Sequence, residues 1–263
     1  MTRLPTVASR ALSLERISIE VTNRCAKACW FCYNHSDPDG GTGWTPEDLL
    51  AFVNDCAANG IKAVSFGGGE PLQYDGLFDV LAELRGKLFR SLTTNGLLLT
   101  PAMLDRLAAA GPDKVHVSIH FPERLAEVDR VIRNVHELAE RGIRSGVNFV
   151  VARSNLPSAQ TAAATVRAAG IGNDRIVYLP MRGQDTPTPK EMATVAGDQH
   201  FQSMTCLLAC APSPRFCSIR HDRTVAWCSY TTTRRPLPEL TYRALLGCLD
   251  NLGLKFCGGT LQE

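Results

Sequence analysis

The segment RISIEVTNRCAKACWFC, residues 16–32, places three cysteines directly after a predicted β-strand. Its first part, RISIEVT, is rich in β-branched residues and predicts a strand over 16–22. Cys25, Cys29 and Cys32 follow on the loop, spaced so that a tight turn can point all three thiols inward. Clustered thiols of this kind indicate a metal or cluster site rather than isolated core cysteines.

Downstream of this segment, strand-like runs alternate with helical patterns. Strands are predicted at 16–22, 62–71, 90–96, 114–121, 146–152 and 175–180, and helices between them at 45–60, 76–86, 100–111, 123–142 and 158–170. This alternation predicts parallel strands joined by right-handed crossovers, in a doubly wound sheet or in an open or closed barrel. In either architecture ligands bind at the carboxyl ends of the strands, where the cysteine loop begins.

The pattern changes after residue 183. A linker-like stretch, RGQDTPTP, precedes a short predicted helix near 189–203, a β-hairpin over 216–230 that turns near 221–224, and a final helix over 236–253. We therefore expect a domain over residues 1–183 and a cysteine-rich appendage over residues 184–263.

Composition excludes several classes of protein. The chain has 263 residues, a net charge of +2 and 21% charged residues, so nothing in its composition argues for binding to nucleic acid or to a membrane surface. Neither a signal-peptide core nor an 18-residue apolar run occurs, so we expect a soluble cytoplasmic protein without a membrane segment.

The cysteine content is unusual for such a protein. Ten cysteines occur, at positions 25, 29, 32, 56, 206, 210, 217, 228, 248 and 257. In a cytoplasmic chain, clustered cysteines more often serve metal binding or catalysis than disulfides. Cys56 falls on the apolar stripe of a helix with Leu49, Phe52 and Val53, and is expected in the core.

Two kinds of site are open to the first cysteine group. A structural zinc site needs four ligands, and His35 would supply the fourth. An iron–sulfur cubane held by three thiolates instead leaves one iron free for a small-molecule ligand.

Three motifs together resemble one family. They are the C-x3-C-x2-C pattern of CAKACWFC with Phe31 before the third cysteine, the FGGGEPL element at the end of the second predicted strand, and TTNG at the end of the third. The chain resembles the radical S-adenosylmethionine (SAM) superfamily over roughly residues 16–182. The resemblance implies a partial (β/α)6 barrel and a [4Fe-4S] cluster on Cys25, Cys29 and Cys32. It also implies that SAM on the fourth iron is cleaved reductively to a 5'-deoxyadenosyl radical.

The glycine element is expected to border the SAM site. Gly67, Gly68 and Gly69 let the backbone approach a ligand closely. Backbone carbonyls there, with the nearby Glu70 carboxylate, suit the ammonium group of SAM. Gly67 stands where the family usually has serine or threonine.

Five further side chains are candidates for holding SAM. Phe31 or Tyr33 would pack against adenine, although ordinary loop packing explains them equally well. Ser118, at the end of the fourth strand, would bind the ribose or the carboxylate. Asn148 is a weaker candidate, and Arg153 would either clamp the carboxylate or lie solvated on its loop.

The second cysteine group resembles the short twitch appendage of some radical SAM enzymes, which binds an auxiliary [4Fe-4S] cluster. Cys217 and Cys228 flank the predicted turn symmetrically, so we expect them directly opposite each other in the hairpin. Cys210 and Cys228, separated by 17 residues, match the appendage best, and Cys257, just after the final predicted helix, fits its post-helix ligand. The fourth ligand is Cys217 or Cys206.

Cys248 is the cysteine left for catalysis. On the final helix it lies at the flank of the apolar stripe, and core packing is the simpler interpretation. The resemblance to the superfamily implies a second role, in which a free thiol near the barrel mouth returns a hydrogen atom to a substrate radical and inverts the carbon.

The chain is similar to the aminoglycoside epimerases of neomycin-type pathways, and less closely to the aminocyclitol dehydrogenases of butirosin-type pathways. We therefore expect a carbohydrate-type substrate, epimerised through Cys248, and a one-electron reductant such as flavodoxin or ferredoxin. Alcohol oxidation with the auxiliary cluster as electron acceptor, and leader-independent peptide modification, stay open. The first strand begins near residue 16, so no leader-binding domain is expected before it.

Overall fold

The strands of the protein form one continuous sheet. The computed structural model describes residues 13–203, 207, 210–255 and 257. The strands are β1 (Arg16–Thr22), β2 (Ala63–Gly68), β3 (Phe89–Thr94), β4 (Lys114–Ile119), β5 (Ser145–Val151), β6 (Ile176–Pro180), β7 (Gln202–Ser203), β8 (Phe216–Ile219), β9 (Thr224–Ala226) and β10 (Arg235–Pro236). Their order in the sheet is β10-β9-β8-β1-β2-β3-β4-β5-β6-β7.

Helices cover the outer face of this sheet. They are α1 (Pro46–Ala58), α2 (Leu77–Glu83), α3 (Pro101–Ala110), α4 (Leu125–Glu140), α5 (Leu156–Ala168), α6 (Pro189–Val195) and α7 (Tyr242–Leu249). Each neighbouring pair from β1 to β6 is parallel. The sheet is not closed, because β10 and β7 form its two edges. The predicted α/β fold, a partial barrel of the (β/α)6 type, is confirmed. Among the described residues no helix has the length and apolarity to span a membrane.

Successive side chains along the strands point alternately to the helix-side core and to the concave side of the sheet. On β1, Ile17, Ile19 and Val21 are at most 1% exposed and pack toward the helices. The residues between them face the concave side, where Ser18 borders a cavity. Cys56 of α1 is fully buried in the helix-side core, as its helical stripe predicts.

Local capping sets where several helices begin. The Thr45 side chain accepts a hydrogen bond from the Asp48 N–H and starts α1. α6 starts with a capping box between Thr188 and Glu191, but it ends at residue 195 and not near 203. Gly197, with φ of 77°, turns the chain there, and residues 202–203 then form β7 beside β6.

The hairpin predicted over 216–230 forms as β8 and β9. β8 runs parallel to β1, with Ser218 beside Ser18, so the hairpin extends the barrel sheet. Strands on both sides of residue 183 thus belong to the same sheet. The division into domains at that position stays a prediction.

The register of the hairpin corrects one expectation. Ser218 pairs with Ala226 and Ile219 with Val225, so continued pairing sets Cys217 opposite position 227 and not opposite Cys228. One residue changes the face of a strand. Cys217 shares its face with its β1 neighbour Ile17 and is fully buried toward the helices. Its expected position opposite Cys228 is therefore wrong.

The last helix is shorter than expected. α7 begins at Tyr242, because the Thr241 side chain accepts a hydrogen bond from the Ala244 N–H. The Tyr242 N–H donates to the Asp55 carboxylate of α1 at 2.6 Å. α7 thus packs beside α1 on the outer layer and covers the same side of the sheet as Cys217.

Candidate functional site

A cavity of about 580 Å³ fills the concave side of the sheet. Inward-facing residues of β1 to β6 line it, together with the loop after β1 and Tyr230 of the appendage. Cys25, Cys29 and Cys32 all border this cavity, so the structure brings the three predicted cysteines to one wall.

Backbone hydrogen bonds hold the cysteine loop. The Cys25 N–H donates to the Asp37 carbonyl at 2.8 Å, and the Cys32 N–H donates to the Cys29 carbonyl at 3.0 Å. Burial raises the pKa of the Cys29 thiol to about 11, and the neighbouring Lys27 ammonium opposes this rise. Bound iron would supply the positive charge that a thiolate needs there. His35 is exposed and lies outside the cavity wall, which disfavours it as the fourth ligand of a zinc site.

The glycine element forms a close crossing of two backbones. A Cβ atom on Gly69 would overlap the Arg24 carbonyl, and one on Gly68 would overlap the Thr22 carbonyl. Gly68 also has a φ of 116°, which L-residues rarely adopt. A Cβ on Gly67 would meet nothing within 4 Å. Gly68 and Gly69 therefore pack closely against the backbone that leads into the cysteine loop, while the space at Gly67 is open. This open space fits a cofactor that is bound against the backbone.

Glu70 has a different place from the one expected. Its Oε1 accepts hydrogen bonds from the Leu72 N–H and the Thr94 hydroxyl, and its Oε2 accepts one from the Asn95 N–H. The side chain is 1% exposed and does not line the cavity. Burial raises its pKa, and the three hydrogen bonds oppose this rise. Glu70 therefore braces the end of β3, which corrects its assignment to the ammonium group of SAM.

The predicted polar residues of β4 and β5 lie in the cavity wall. Ser118 lines it directly. Asn148 also lines it, but its Oδ1 lies 2.8 Å from His116 Nδ1, and its Nδ2 donates to the Thr93 hydroxyl at 3.3 Å. Burial lowers the pKa of His116 to about 4, so its imidazole is neutral at pH 7. The Asn148 amide thus orients His116, and both its ends are engaged within the chain.

Aromatic side chains form the rim. Phe31 lines the cavity and packs on Phe121 with ring centroids 5.4 Å apart. Tyr33 packs on Tyr230 at 4.6 Å, and the Arg182 guanidinium lies over the Tyr230 ring at 4.4 Å. This stack joins the cysteine loop, the appendage and the end of β6. A role of Phe31 or Tyr33 toward adenine stays a prediction.

Two candidates lie away from the cavity. Arg153 is 48% exposed beside Glu191 and does not line the wall, which favours the solvated-loop interpretation over a carboxylate clamp. Cys248 is 3% exposed, packs in the helix-side core and donates from Sγ to the Pro236 carbonyl at 3.3 Å. The expectation that Cys248 faces the barrel mouth is therefore wrong, because α7 turns that thiol into the outer layer.

The second cysteine group is only partly assembled. The Gly183 N–H donates to the Cys257 carbonyl at 3.0 Å, while Tyr230, two residues after Cys228, stacks under Arg182. Cys228 and Cys257 thus lie at the same edge of the mouth. Cys210 is exposed, and Cys206 lies outside the described residues. Cys217 is fully buried toward the helices, which disfavours it as a ligand at this edge.

A buried ion pair was missed by the sequence analysis. The Lys27 ammonium lies 2.8 Å from Glu127 Oε1, and His120 Nδ1 lies 3.1 Å from the same ammonium. Burial alone would raise the pKa of Glu127, but hydrogen bonds from Lys27 and from the His120 N–H lower it. Burial and Lys27 lower the pKa of His120 to about 3. The position of Lys27 between two motif cysteines was the available signal.

A second buried carboxylate lies behind Tyr33. Glu20 is 1% exposed, and its Oε2 lies 3.7 Å from Arg220 Nε. Burial raises its pKa to about 7, against the opposing charges of Arg234 and Arg220. Arg220 donates to the Tyr33 carbonyl and Arg234 to the Cys228 carbonyl, so this cluster connects the two cysteine segments.

Comparison of the sequence with protein-family models supports the interpretation of the three-cysteine loop as a cluster site. The family model described as the radical SAM superfamily matches residues 19–155, just over half of the chain. The chain therefore belongs to the radical SAM superfamily, whose members use a [4Fe-4S] cluster and SAM.

Curated relatives match this chain over only part of their own length. A probable GTP 3',8-cyclase of Methanocella arvoryzae is 36% identical over 115 residues, which cover 44% of this chain and 36% of that protein. A PqqA peptide cyclase of Granulibacter bethesdensis is 25% identical over 175 residues, which cover 62% of this chain and 47% of that protein. The chain thus spans less than half of either relative.

Solved structures agree on the fold. SuiB of Streptococcus suis, bound to S-adenosylmethionine, has a TM-score of 0.70 at 14% identity, covering 92% of this chain and 67% of SuiB. The protein anSMEcpe, with bound AdoMet, has a TM-score of 0.67 at 16% identity, covering 90% of this chain and 81% of its own. At these identities the likeness concerns the fold.

Proposed function

We propose that Cys25, Cys29 and Cys32 hold the [4Fe-4S] cluster, and that the chain acts on a carbohydrate-type small molecule that carries an anionic group. The cluster and SAM, when bound, would supply the radical chemistry that removes hydrogen from a substrate carbon. The observation that carries the cofactor assignment is the presence of all three thiols on one cavity wall beside the open space at Gly67.

Hydroxyl groups in the wall support a polyhydroxylated substrate. These groups belong to Ser18, Ser65, Ser91, Thr93 and Ser118. Such donors and acceptors match the hydroxyl groups of a sugar or cyclitol. One of the relatives is named for a reaction on GTP, which contains a sugar and phosphates.

The charges of the wall support an anionic group on that substrate. The charged side chains among the described lining residues are Arg16, Lys27, Lys114 and Arg182, and none of these lining residues carries a carboxylate. Arg16 and Lys114 begin β1 and β4, at the amino ends of the strands, and Lys27 is paired with Glu127. Arg182, at the rim beside Tyr230, is therefore the cation on which the charge argument rests. Of the carboxylates behind the wall, Glu127 is paired with Lys27, and Glu20 lies 3.7 Å from Arg220 Nε without a hydrogen bond to either of its oxygens. A polycationic aminoglycoside would find no carboxylate among the described lining residues, which disfavours the aminated substrate expected from the sequence.

Oxidation is the favoured outcome over epimerisation. Cys248 is buried on the helix side of the sheet, away from any substrate in the cavity. The Cys228 segment meets the cavity at Tyr230. Cys210, Cys228 and Cys257 would hold an auxiliary cluster, which would supply an electron acceptor at that rim. The substrate radical of an alcohol loses one electron and one proton to become a ketone.

The test is 5'-deoxyadenosine formation by the reconstituted, reduced protein with three probes: GTP, neutral scyllo-inositol and polycationic neomycin. The proposal predicts stimulation by the anionic probe over the neutral one and none by neomycin. Stimulation by neomycin alone would overturn the charge argument. Zinc without sulfide in the purified protein would overturn the cofactor assignment itself.

A further inference from the structure

A side chain from β3 reaches one of the three cysteines. The Asn95 Nδ2 lies 3.6 Å from Cys25 Sγ, within hydrogen-bond range for sulfur. Both residues are buried, at 6% and 8% exposed. Asn95 follows directly after β3, in the TTNG motif, to which the sequence analysis gave no role.

The orientation of the Asn95 amide follows from its other contacts. The Leu97 N–H donates to Asn95 Oδ1 at 2.9 Å, so this oxygen faces the following turn and the NH2 group faces the sulfur. The Asn95 backbone N–H donates to Glu70 Oε2 at 2.8 Å. Glu70 also accepts a hydrogen bond from the Thr94 hydroxyl. These two hydrogen bonds hold the end of β3, and with it Asn95, against the glycine element.

We infer that Asn95 sets the reduction potential of the SAM cluster by donating an N–H···S hydrogen bond to Cys25, with Glu70 as its positioning residue. The positive end of the N–H dipole stabilises negative charge on the thiolate. The reduced cluster carries one more negative charge than the oxidised one, so this bond favours reduction. Because reduction precedes SAM cleavage, the bond makes the protein responsive to a weaker reductant. This inference rests on the proposed role of Cys25 as a ligand.

Two variants of Asn95 and one control distinguish loss of the hydrogen bond to Cys25 from a general effect on the fold. Asn95→Asp keeps an oxygen for the Leu97 N–H but replaces the donor with a negative charge, and Asn95→Ala removes both the donor to Cys25 and the acceptor of the Leu97 N–H. The matched control is Asn134→Ala. Asn134 is 3% exposed and donates to the Gly96 carbonyl at 3.0 Å, on the same turn but without contact to Cys25. The control variant therefore loses a buried hydrogen bond from a side-chain amide, as the Asn95 variants do, but at a site away from Cys25.

The measurement is the midpoint potential of the SAM cluster, followed by its electron paramagnetic resonance signal during redox titration at constant iron and sulfide content. To isolate this cluster, all variants carry the Cys210→Ala, Cys228→Ala and Cys257→Ala changes. Asn95→Ala is expected to lower the reduced-to-oxidised ratio about tenfold, which is about 59 mV for one electron. Asn95→Asp lowers it further, and Asn134→Ala leaves it unchanged. In parallel, Asn95→Ala cleaves SAM slowly with a weak reductant and recovers with a stronger one.

Unchanged potentials in both Asn95 variants would overturn the inference, as would an equal shift in Asn134→Ala. Loss of iron from both Asn95 variants but not from the control would also overturn it, since Asn95 would then be needed for assembly. A parent protein that binds no cluster on Cys25, Cys29 and Cys32 contradicts the proposed function instead, so the two failures are distinguishable.

Discussion

The Lys27 ammonium lies 2.8 Å from Glu127 Oε1, and both side chains are less than a tenth exposed. Lys27 belongs to the cysteine loop, and Glu127 to the first turn of α4. The ion pair therefore links the loop that carries the three cysteines to the start of α4. Removing one member of a buried pair leaves an uncompensated charge, which is costly.

Lys27→Met should accordingly lower the free energy of unfolding by about 3 kcal/mol, measured by urea denaturation. The control is Arg141→Met, which breaks the exposed pair with Asp105, where Asp105 is 70% exposed. That change should cost less than about 1 kcal/mol. Equal costs for the two variants would show that the buried pair does not hold the loop.

The glycine element gives a second prediction. Gly69→Ala forces a Cβ into the Arg24 carbonyl, so it should displace the cysteine loop and reduce the iron bound after reconstitution. The strain should also lower stability by roughly 1–3 kcal/mol. Gly67→Ala is the matched control, since its Cβ meets nothing within 4 Å. Normal iron content and stability in Gly69→Ala would contradict the close crossing.

Glu20 predicts a pH dependence of stability. Its pKa is raised from 4.5 to about 7 in the folded protein, because the carboxylate is buried. The folded state therefore binds more protons than the unfolded state between these values, and stability falls as pH rises from about 4.5 to about 7. The loss attributable to this group is about 3 kcal/mol.

Urea denaturation of wild type and Glu20→Gln between pH 4.5 and 8 measures this loss. The variant should lack the decline, and the exposed Glu239→Gln should keep it. If wild type and Glu20→Gln show the same dependence on pH, the ion pair with Arg220 keeps Glu20 charged throughout.

Cys248 predicts a negative result in isotope transfer. Reaction in deuterated water with the stimulating probe should place no solvent deuterium on the substrate carbon. Cys248→Ala should then form 5'-deoxyadenosine at the rate of Cys56→Ala, a control buried in the same layer. One deuterium at an inverted carbon in wild type, lost only in Cys248→Ala, would restore the epimerase interpretation.

Local signals in the sequence predicted the fold well. Strand runs, Thr-Pro starts and turn glycines act over a few residues, so β1 to β6, their helices and the hairpin all appear near the predicted positions. The three cysteines were predicted to share a site because they occupy one short loop. Their common cavity wall agrees with this.

Features that depend on register or on distant partners could not be read from sequence. The strand pairing of the hairpin differs by one residue from the register that would set Cys217 opposite Cys228. Cys217 is therefore not opposite Cys228 and faces the helices. Glu70 finds its donors on β3, and Lys27 finds Glu127 a hundred residues away. Periodicity carries no information about such pairs.

The central claim is that SAM is activated at Cys25, Cys29 and Cys32. The most direct measurement is the electron paramagnetic resonance spectrum of the reduced protein with and without SAM, for two triple variants. The Cys210→Ala, Cys228→Ala, Cys257→Ala variant should keep a cluster signal that SAM alters, and should form 5'-deoxyadenosine. The Cys25→Ala, Cys29→Ala, Cys32→Ala variant should do neither. A signal altered by SAM, or 5'-deoxyadenosine formed, in this second variant would contradict the account.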